Sequence, residues 1–201
     1  MDKAYIIDEL KKLAANVGLD VDEGTIERVV GFSQFKVYSK GQIIKRIGED
    51  SSCAGIVVSG VIRSFYVDSD GNDITRFFSC EGNACMDEGL IGLKEICAMW
   101  EAVEESTVML FEVDGFKKLI MSDERLKKIW IDVLESGMRY KVYRENGFLV
   151  ENATERYLNF RKRYPTLCSR VPQKYIATYL GIKPESLSRI RNTLKEEENG
   201  I

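Results

Sequence analysis

Histidine is absent from all 201 residues. Because histidine is the commonest general base near neutral pH and a favoured ligand for several metals, its absence excludes catalytic triads, zincin sites and the usual histidine-built metal centre of a cupin enzyme. Long apolar runs are missing too. No stretch approaches the roughly 18 residues of a membrane span, and the start, MDKAYIIDELKKLAANVG, reads as an amphipathic helix with acids and bases mixed rather than as a signal peptide. No membrane partner is expected, and the expected location is the cytoplasm. The five cysteines are an odd number spread along the chain. Without a secretory signal they indicate reduced thiols rather than a disulfide framework.

What is present is a chain 44% hydrophobic and 30% charged, long enough for one substantial core and a smaller one. Its charge is split near Val150. Residues 1–150 carry 19 Lys+Arg against 26 Asp+Glu, whereas residues 151–201 carry 10 against 6. A basic module attached to an acidic one points to a polyanion partner for the basic end alone.

Periodicity changes twice along the chain. Residues 2–32 predict two helices, with Ile6, Leu10, Leu13 and Val17 on the apolar face of the first and Ile26, Val29 and Val30 on that of the second. FKVYSKGQIIKRIG, CAGIVVSGVIRSFYV, ITRFF and TVMLFEV are short β-rich runs punctuated by glycines, the pattern of a β-barrel or sandwich. DSDGND supplies an Asp-Gly hairpin turn; its Gly71 falls at the fourth position rather than the sixth that an EF-hand loop needs. From about Gly115 helical character returns. Asp123 to Gly147 predicts one long helix with Leu126, Trp130, Val133, Gly137 and Tyr140 near one stripe.

The segment PQKYIATYLGIKPESLSRIRNTL predicts a helix from about Gln173 to Leu180, a stop at Gly181, and a second helix opening near Lys183 with Pro184 in its first turn. Ile176, Leu180, Ile182, Leu187, Ile190 and Leu194 close the inner faces, leaving Glu185, Ser186, Ser188, Arg189 and Asn192 outward, with Lys174 and Lys183 as phosphate contacts. An outward row of Glu, Ser, Arg and Asn matches the side chains that read base edges in a major groove. A plain helical hairpin with a solvated face is the alternative, and the basic surplus favours DNA.

Taken together, these segments resemble the catabolite-activator and fumarate-nitrate-regulator (Crp/Fnr) transcription factors. Gly41, Gly48 and Gly60 stand at the turn glycines of the family's effector domain, EAVEESTVMLFEV resembles the strand that closes its β-roll, and Glu185, Ser186 and Arg189 match its recognition-helix positions. The resemblance implies an α+β fold: an N-terminal β-roll of the double-stranded, cyclic-nucleotide-binding type with flanking helices, a long dimerisation helix and a small C-terminal helix-turn-helix. It divides the chain into an effector-sensing domain at 1–122, a dimerisation helix and linker at 123–150 and a DNA-binding domain at 151–201. It also implies a double-stranded operator, a homodimer through Leu126, Trp130, Val133, Gly137 and Tyr140, and RNA polymerase as a protein partner. A β-hairpin wing after Leu194 is expected to be reduced or absent.

The effector region departs from that pattern. Cyclic-nucleotide-binding members use a Gly-Glu pair and then an Arg-Ser pair whose guanidinium clamps the phosphate. Glu88 can stand for the acid, but no arginine occurs between Arg76 and Arg125, and acids surround the lone Lys94. Cyclic AMP and cyclic GMP are therefore not expected as effectors, and no cofactor is identified. The candidate pocket residues are Arg63, Arg76, Asp87, Glu88, Cys97 and Met99. Cys53, Cys80, Cys85 and Cys97 allow a redox or metal-sensing role, against which stand their lack of CxxC spacing and the usual use of cysteine as core filling. Trp130 fits the dimer seam or the barrel wall, and Trp100 has no place that follows from spacing. The readings are a DNA-binding regulator, a cyclic-nucleotide or other small-ligand sensor module, and a redox or metal sensor; none is an enzyme.

Overall fold

The computed structural model describes residues 3–16 and 20–199, and divides them between two units: residues up to Phe65 together with Phe77–Val133, and Tyr66–Arg76 together with the residues from Leu134 onward. No helix among the described residues is long and apolar enough to cross a membrane.

Helices α1 (Lys3–Asn16) and α2 (Glu23–Gly31) precede eight strands: β1 (Gln34–Tyr38), β2 (Ile43–Lys45), β3 (Cys53–Ser59), β4 (Ile62–Val67), β5 (Asp73–Ser79), β6 (Ala84–Cys85), β7 (Met99–Ala102) and β8 (Ser106–Glu112); all lie in the first unit except the ends of β4 and β5 that flank their hairpin. They form two four-stranded sheets, in the orders β1-β8-β3-β6 and β2-β7-β4-β5. The barrel or sandwich read from the glycine-punctuated runs is thus a two-sheet β-roll. A 3-10 turn at Gly89–Ile91 lies between β6 and β7.

Strand β8 shows why the roll is buried on two sides. Side chains alternate across a strand, so Val108 and Leu110 enter the roll with Tyr38, Val57, Ile62, Ile96 and Trp100. Met109 and Phe111 point the other way. Met109 is covered by Ile7, Leu10, Ile26 and Val30 of α1 and α2, and Phe111 packs with Ala54, Leu90, Val113, Phe116 and Trp130. The side chains of Ile6 and Leu13, and all of Val17, which the sequence places on the same apolar face, lie outside the described residues. Asp22 caps α2 through Thr25 and also meets Arg125; the Thr25 hydrogen bonds hold its carboxyl below the usual carboxylate range.

Chain continuity after β8 is abrupt. Glu112 ends the strand and caps helix α3 (Val113–Met121), its carboxylate accepting from the Asp114 and Gly115 amides at 3.0 and 2.6 Å. Helix α4 follows over Glu124–Val150, about 40 Å at 1.5 Å per residue. In the second unit come α5 (Ala153–Arg163), the short α6 (Leu167–Arg170), α7 (Gln173–Leu180) and α8 (Pro184–Asn199). The hairpin tip in this unit is the predicted turn: Asp68 accepts from the amides of Asp70 and Asn72 at 2.9 and 2.8 Å, and Gly71 takes φ 82°. Thr75 of the same segment is hydrogen-bonded to Thr178 of α7, hydroxyl to hydroxyl, at 2.9 Å.

Of the glycines in the roll, Gly89 shows the tightest approach. A Cβ on Gly89 would stand 2.0 Å from the Ser51 carbonyl oxygen, so Gly89→Ala must displace backbone. The expected cost is about 1–3 kcal/mol, read as a lowered thermal midpoint. Gly31→Ala, where an added Cβ meets no atom within 4 Å, is the control and should leave the midpoint near that of the parent.

Candidate nucleic-acid interface and effector pocket

The helix-turn-helix segment folds within the second unit as its turn chemistry dictates. α7 ends where Gly181 turns left-handed at φ 66°; the Gly181 amide donates to Thr178 and the Ile182 amide to Ala177, which together satisfy the last carbonyls of the helix. Pro184 opens α8, where its missing N–H leaves no bond unmade. Ile176, Leu180 and Leu187 are buried, with Tyr157, Phe160, Leu167 and Val171, while Ile182, Ile190 and Leu194 are half-buried. Opposite them, Glu185, Ser188, Arg189 and Asn192 are exposed, Ser186 is half-buried, and Lys174 and Lys183 are exposed. All seven residues singled out for DNA are therefore at least partly accessible, and six of them are exposed.

The basic surplus of this unit is not all surface charge. The Arg144 guanidinium lies 3.6 Å from the centroid of the Tyr179 ring and 4.7 Å from that of Phe148, and donates to the Tyr179 carbonyl at 2.7 Å. Arg156 donates to the Leu180 carbonyl at 3.0 Å, closing the C-terminus of α7. Arg163 stacks over Tyr140 at 4.5 Å. The Tyr140 and Tyr179 hydroxyls meet at 3.2 Å; burial pushes the Tyr179 phenol up to about 12 and that of Tyr140 further in the same direction. Arg144 and Arg156 hold α7 to α4 and α5, and Arg163 ties α5 to α4. Sequence counting could not separate them from Lys174, Lys183 and Arg189, because a cation stacked on an aromatic ring and one facing water look alike in composition.

Helix α4 turns its sequence-predicted stripe inward. In the first unit Leu126 is buried, Trp130 meets Phe116 edge-on at 6.4 Å, and Val133 is half-buried. In the second unit Tyr140 is bonded to Tyr179, and Gly137 is exposed with no atom within 4 Å of an added Cβ. Leu126, Trp130 and Tyr140 of the stripe thus pack within the chain. The exposed apolar residues of α4 in the second unit include Leu134, Met138 and Val142, at 42%, 62% and 58% exposure, four residues apart and so on one face; Phe148, Leu149 and Val150 at its C-terminal end are exposed as well.

Of the six predicted effector residues, five lie in the first unit, where they fall into two groups. Strand β7 lies between β2 and β4, with Trp100 opposite Ser64 and Glu101 opposite Arg63. Alternation sends Glu101 and Arg63 to one face of the sheet and Trp100 and Ser64 to the other. On the first face Arg63, 1% exposed, donates to Glu101 at 2.6 and 3.2 Å and lies 4.1 Å over the Phe65 ring; Met99, paired with Phe65, is half-buried. On the other face, inside the roll, are Trp100 and the wholly buried Glu88, with the indole Nε1–H 3.2 Å from each carboxylate oxygen and the Cys97 thiol 3.6 Å from one of them. Asp87 is half-buried beside Glu88, and Arg76 belongs to the second unit. Trp100 is the residue that the sequence reading left unplaced; the one signal for it is its position between two alanines, Ala98 and Ala102, on the inward side of β7.

The cysteines are dispersed in environment. Cys85 is wholly buried and its thiol is pushed far up by desolvation, Cys53 is half-buried with its thiol also raised, Cys80 is half-buried and Cys97 is exposed. Among the described residues no group of three or more His, Cys, Asp or Glu is arranged to hold a metal ion.

Residues 35–123 match the family model described as the cyclic nucleotide-binding domain. No curated protein matches the sequence. Among solved structures, the chain is similar to FixK2 from Bradyrhizobium japonicum, at 21% identity over 83% of this chain and 86% of that one, with a TM-score of 0.73. It is similar to CLP, a c-di-GMP responsive global regulator of Xanthomonas campestris, at 15% identity over 88% and 93%, with a TM-score of 0.68. The catabolite activator protein of Thermus thermophilus gives 19% identity over 89% and 85%, with a TM-score of 0.56. Those neighbours and the domain match agree with the two-sheet roll, the long helix and the helix-turn-helix described above: residues 35–123 are similar to that domain family, and the chain has the fold of the Crp/Fnr regulators.

Proposed function

We infer that the chain is a homodimeric transcription regulator that reads a double-stranded operator through α8. The observation that carries this reading is the two-sidedness of α8: Leu187 is wholly buried while Glu185, Ser188, Arg189 and Asn192 face water. Arg189 is suited to guanine O6 and N7, Glu185 to cytosine N4, and Ser186 to a base or phosphate. Asn192, further along the same side, is suited to an adenine edge. Lys174 and Lys183 are suited to phosphates. Neither cyclic AMP nor cyclic GMP acts as an effector, because no arginine stands where a phosphate would need its clamp; Arg63 of β4 is committed to Glu101. RNA polymerase is the protein partner that such a regulator would address.

The dimer is assigned to the accessible face of α4. Leu134, Met138 and Val142 form an apolar strip that a second copy would cover about a twofold axis, as closed homodimers do. Met138→Glu should convert the dimer to monomer in native mass spectrometry and lower operator affinity. Gly137→Ala, about a quarter turn from Met138 and with no atom within 4 Å of the added Cβ, should leave the dimer intact. A dimer unaffected by Met138→Glu places the seam elsewhere.

A duplex selected by the protein from a randomised pool supplies the operator for the central test. Arg189→Ala should cost roughly 1–3 kcal/mol on that duplex and relax preference at one base pair, with little effect on unrelated DNA. Lys174→Ala or Lys183→Ala should weaken binding to all sequences alike and reduce the salt slope by about one unit. Unchanged sequence preference in a folded Arg189→Ala dimer would remove α8 from the reading role.

A further inference from the structure

Inside the β-roll lies a polar pair to which the DNA-binding reading gives no task. Glu88 and Trp100 are both wholly buried. The indole N–H reaches both carboxylate oxygens at 3.2 Å, and the Cys97 thiol reaches Oε1 at 3.6 Å. The Phe77 ring meets the indole edge-on, with centroids 5.3 Å apart and planes at 81°. Cys85, Met86, Ile96 and Ala102 belong to the same core.

The loop that presents Glu88 is under constraint from two sides. Met86 holds φ 53°, a left-handed conformation that a side-chain-bearing residue adopts at a cost and keeps only where its surroundings dictate it. Gly89 is pressed against the Ser51 carbonyl, and Lys117 donates to the Gly89 carbonyl at 2.7 Å. The carboxylate is therefore delivered to the indole by a backbone with little freedom.

A flat heteroaromatic ring, met edge-on by another ring and fixed by an N–H to a buried carboxylate, is held in the way a pocket holds a small aromatic ligand. Here the ring is covalently part of the chain. We propose that Trp100 is an internal ligand of the β-roll, whose indole keeps the roll in its DNA-binding arrangement so that no diffusible effector is needed for it. A molecule entering this place would have to expel the indole and replace its hydrogen bond, since a buried carboxylate deprived of a donor is costly. A ligand shifts an equilibrium only through its differential affinity for two states, and an intramolecular one present at every moment leaves the roll in a single state. The regulatory part of this inference rests on the DNA-binding reading; the occupation of the pocket does not.

Removing the ring tests both parts. Full-length Trp100→Ala, with free indole as the probe, should bind indole saturably in calorimetry and regain thermal midpoint as indole is added, whereas the parent should bind none. Its affinity for the duplex selected by the parent should fall by about tenfold and return with indole. A folded Trp100→Ala that takes up no indole, or one that keeps the parent's duplex affinity without it, overturns the proposal. If that variant does not fold, Trp100→Phe decides: it fills most of the volume but has no N–H, so reduced duplex affinity is expected and parental affinity overturns the proposal. Cyclic AMP added to the parent should alter neither midpoint nor duplex affinity, and a saturable change in either counts against it. A parent with no duplex preference removes the regulatory reading, while indole uptake by Trp100→Ala still decides what occupies the roll.

Discussion

A carboxylate shut away from water must be met by hydrogen-bond donors, and much of the β-roll is arranged so that Glu88 is. The turn at Gly89 packs backbone against backbone, Met86 accepts a left-handed φ, and β7 lies in the register that sends Trp100 inward. The same register fixes the second buried charge. Because side chains alternate, placing Trp100 inside forces Glu101 to the opposite face, directly across from Arg63 on β4, where the two form a hydrogen-bonded ion pair over Phe65. A slip of one residue would bury Glu101 in the apolar interior and turn the indole out. Buried pairs of this kind contribute more to choosing one register than to net stability, since desolvation offsets most of their attraction.

Charge in the second unit is divided between two tasks. Arg144, Arg156 and Arg163 act on rings and carbonyls of their own chain, where a guanidinium can stack and donate at once. Lys174, Lys183 and Arg189 remain at the surface. The electrostatic argument for a polyanion partner therefore rests on fewer cations than composition counts, and on their placement around α7 and α8.

Helix α4 shows how one element can be apolar on more than one side. Its 27 residues carry Leu126 and Trp130 into the first unit's core and Tyr140 into the second unit's aromatic cluster. Leu134, Met138 and Val142 project roughly a third of a turn away from that line, which follows from about 100° of rotation per residue. The apolar residues of this helix wrap beyond one stripe, and part of them stays exposed.

Local chemistry was legible in the sequence wherever it depends on near neighbours. Gly181 and Pro184 set the end of one helix and the start of the next, Asp68 and Gly71 set the hairpin turn, and the change of period marked where strands give way to helices. The outward row of α8 followed from helical spacing alone. Tertiary structure decided what depends on partners far along the chain. The stripe from Leu126 to Tyr140 reads as a seam by periodicity, yet periodicity says only that a face is apolar and not which surface covers it. Arg63, proposed for a pocket, is matched by Glu101, 38 residues away. Glu88 and Trp100 are twelve residues apart with a 3-10 turn between them, and only the pairing of β7 with β2 and β4 brings the indole to the carboxylate. Strand register is set by contacts across the sheet, and the identity of what fills the roll was decided there.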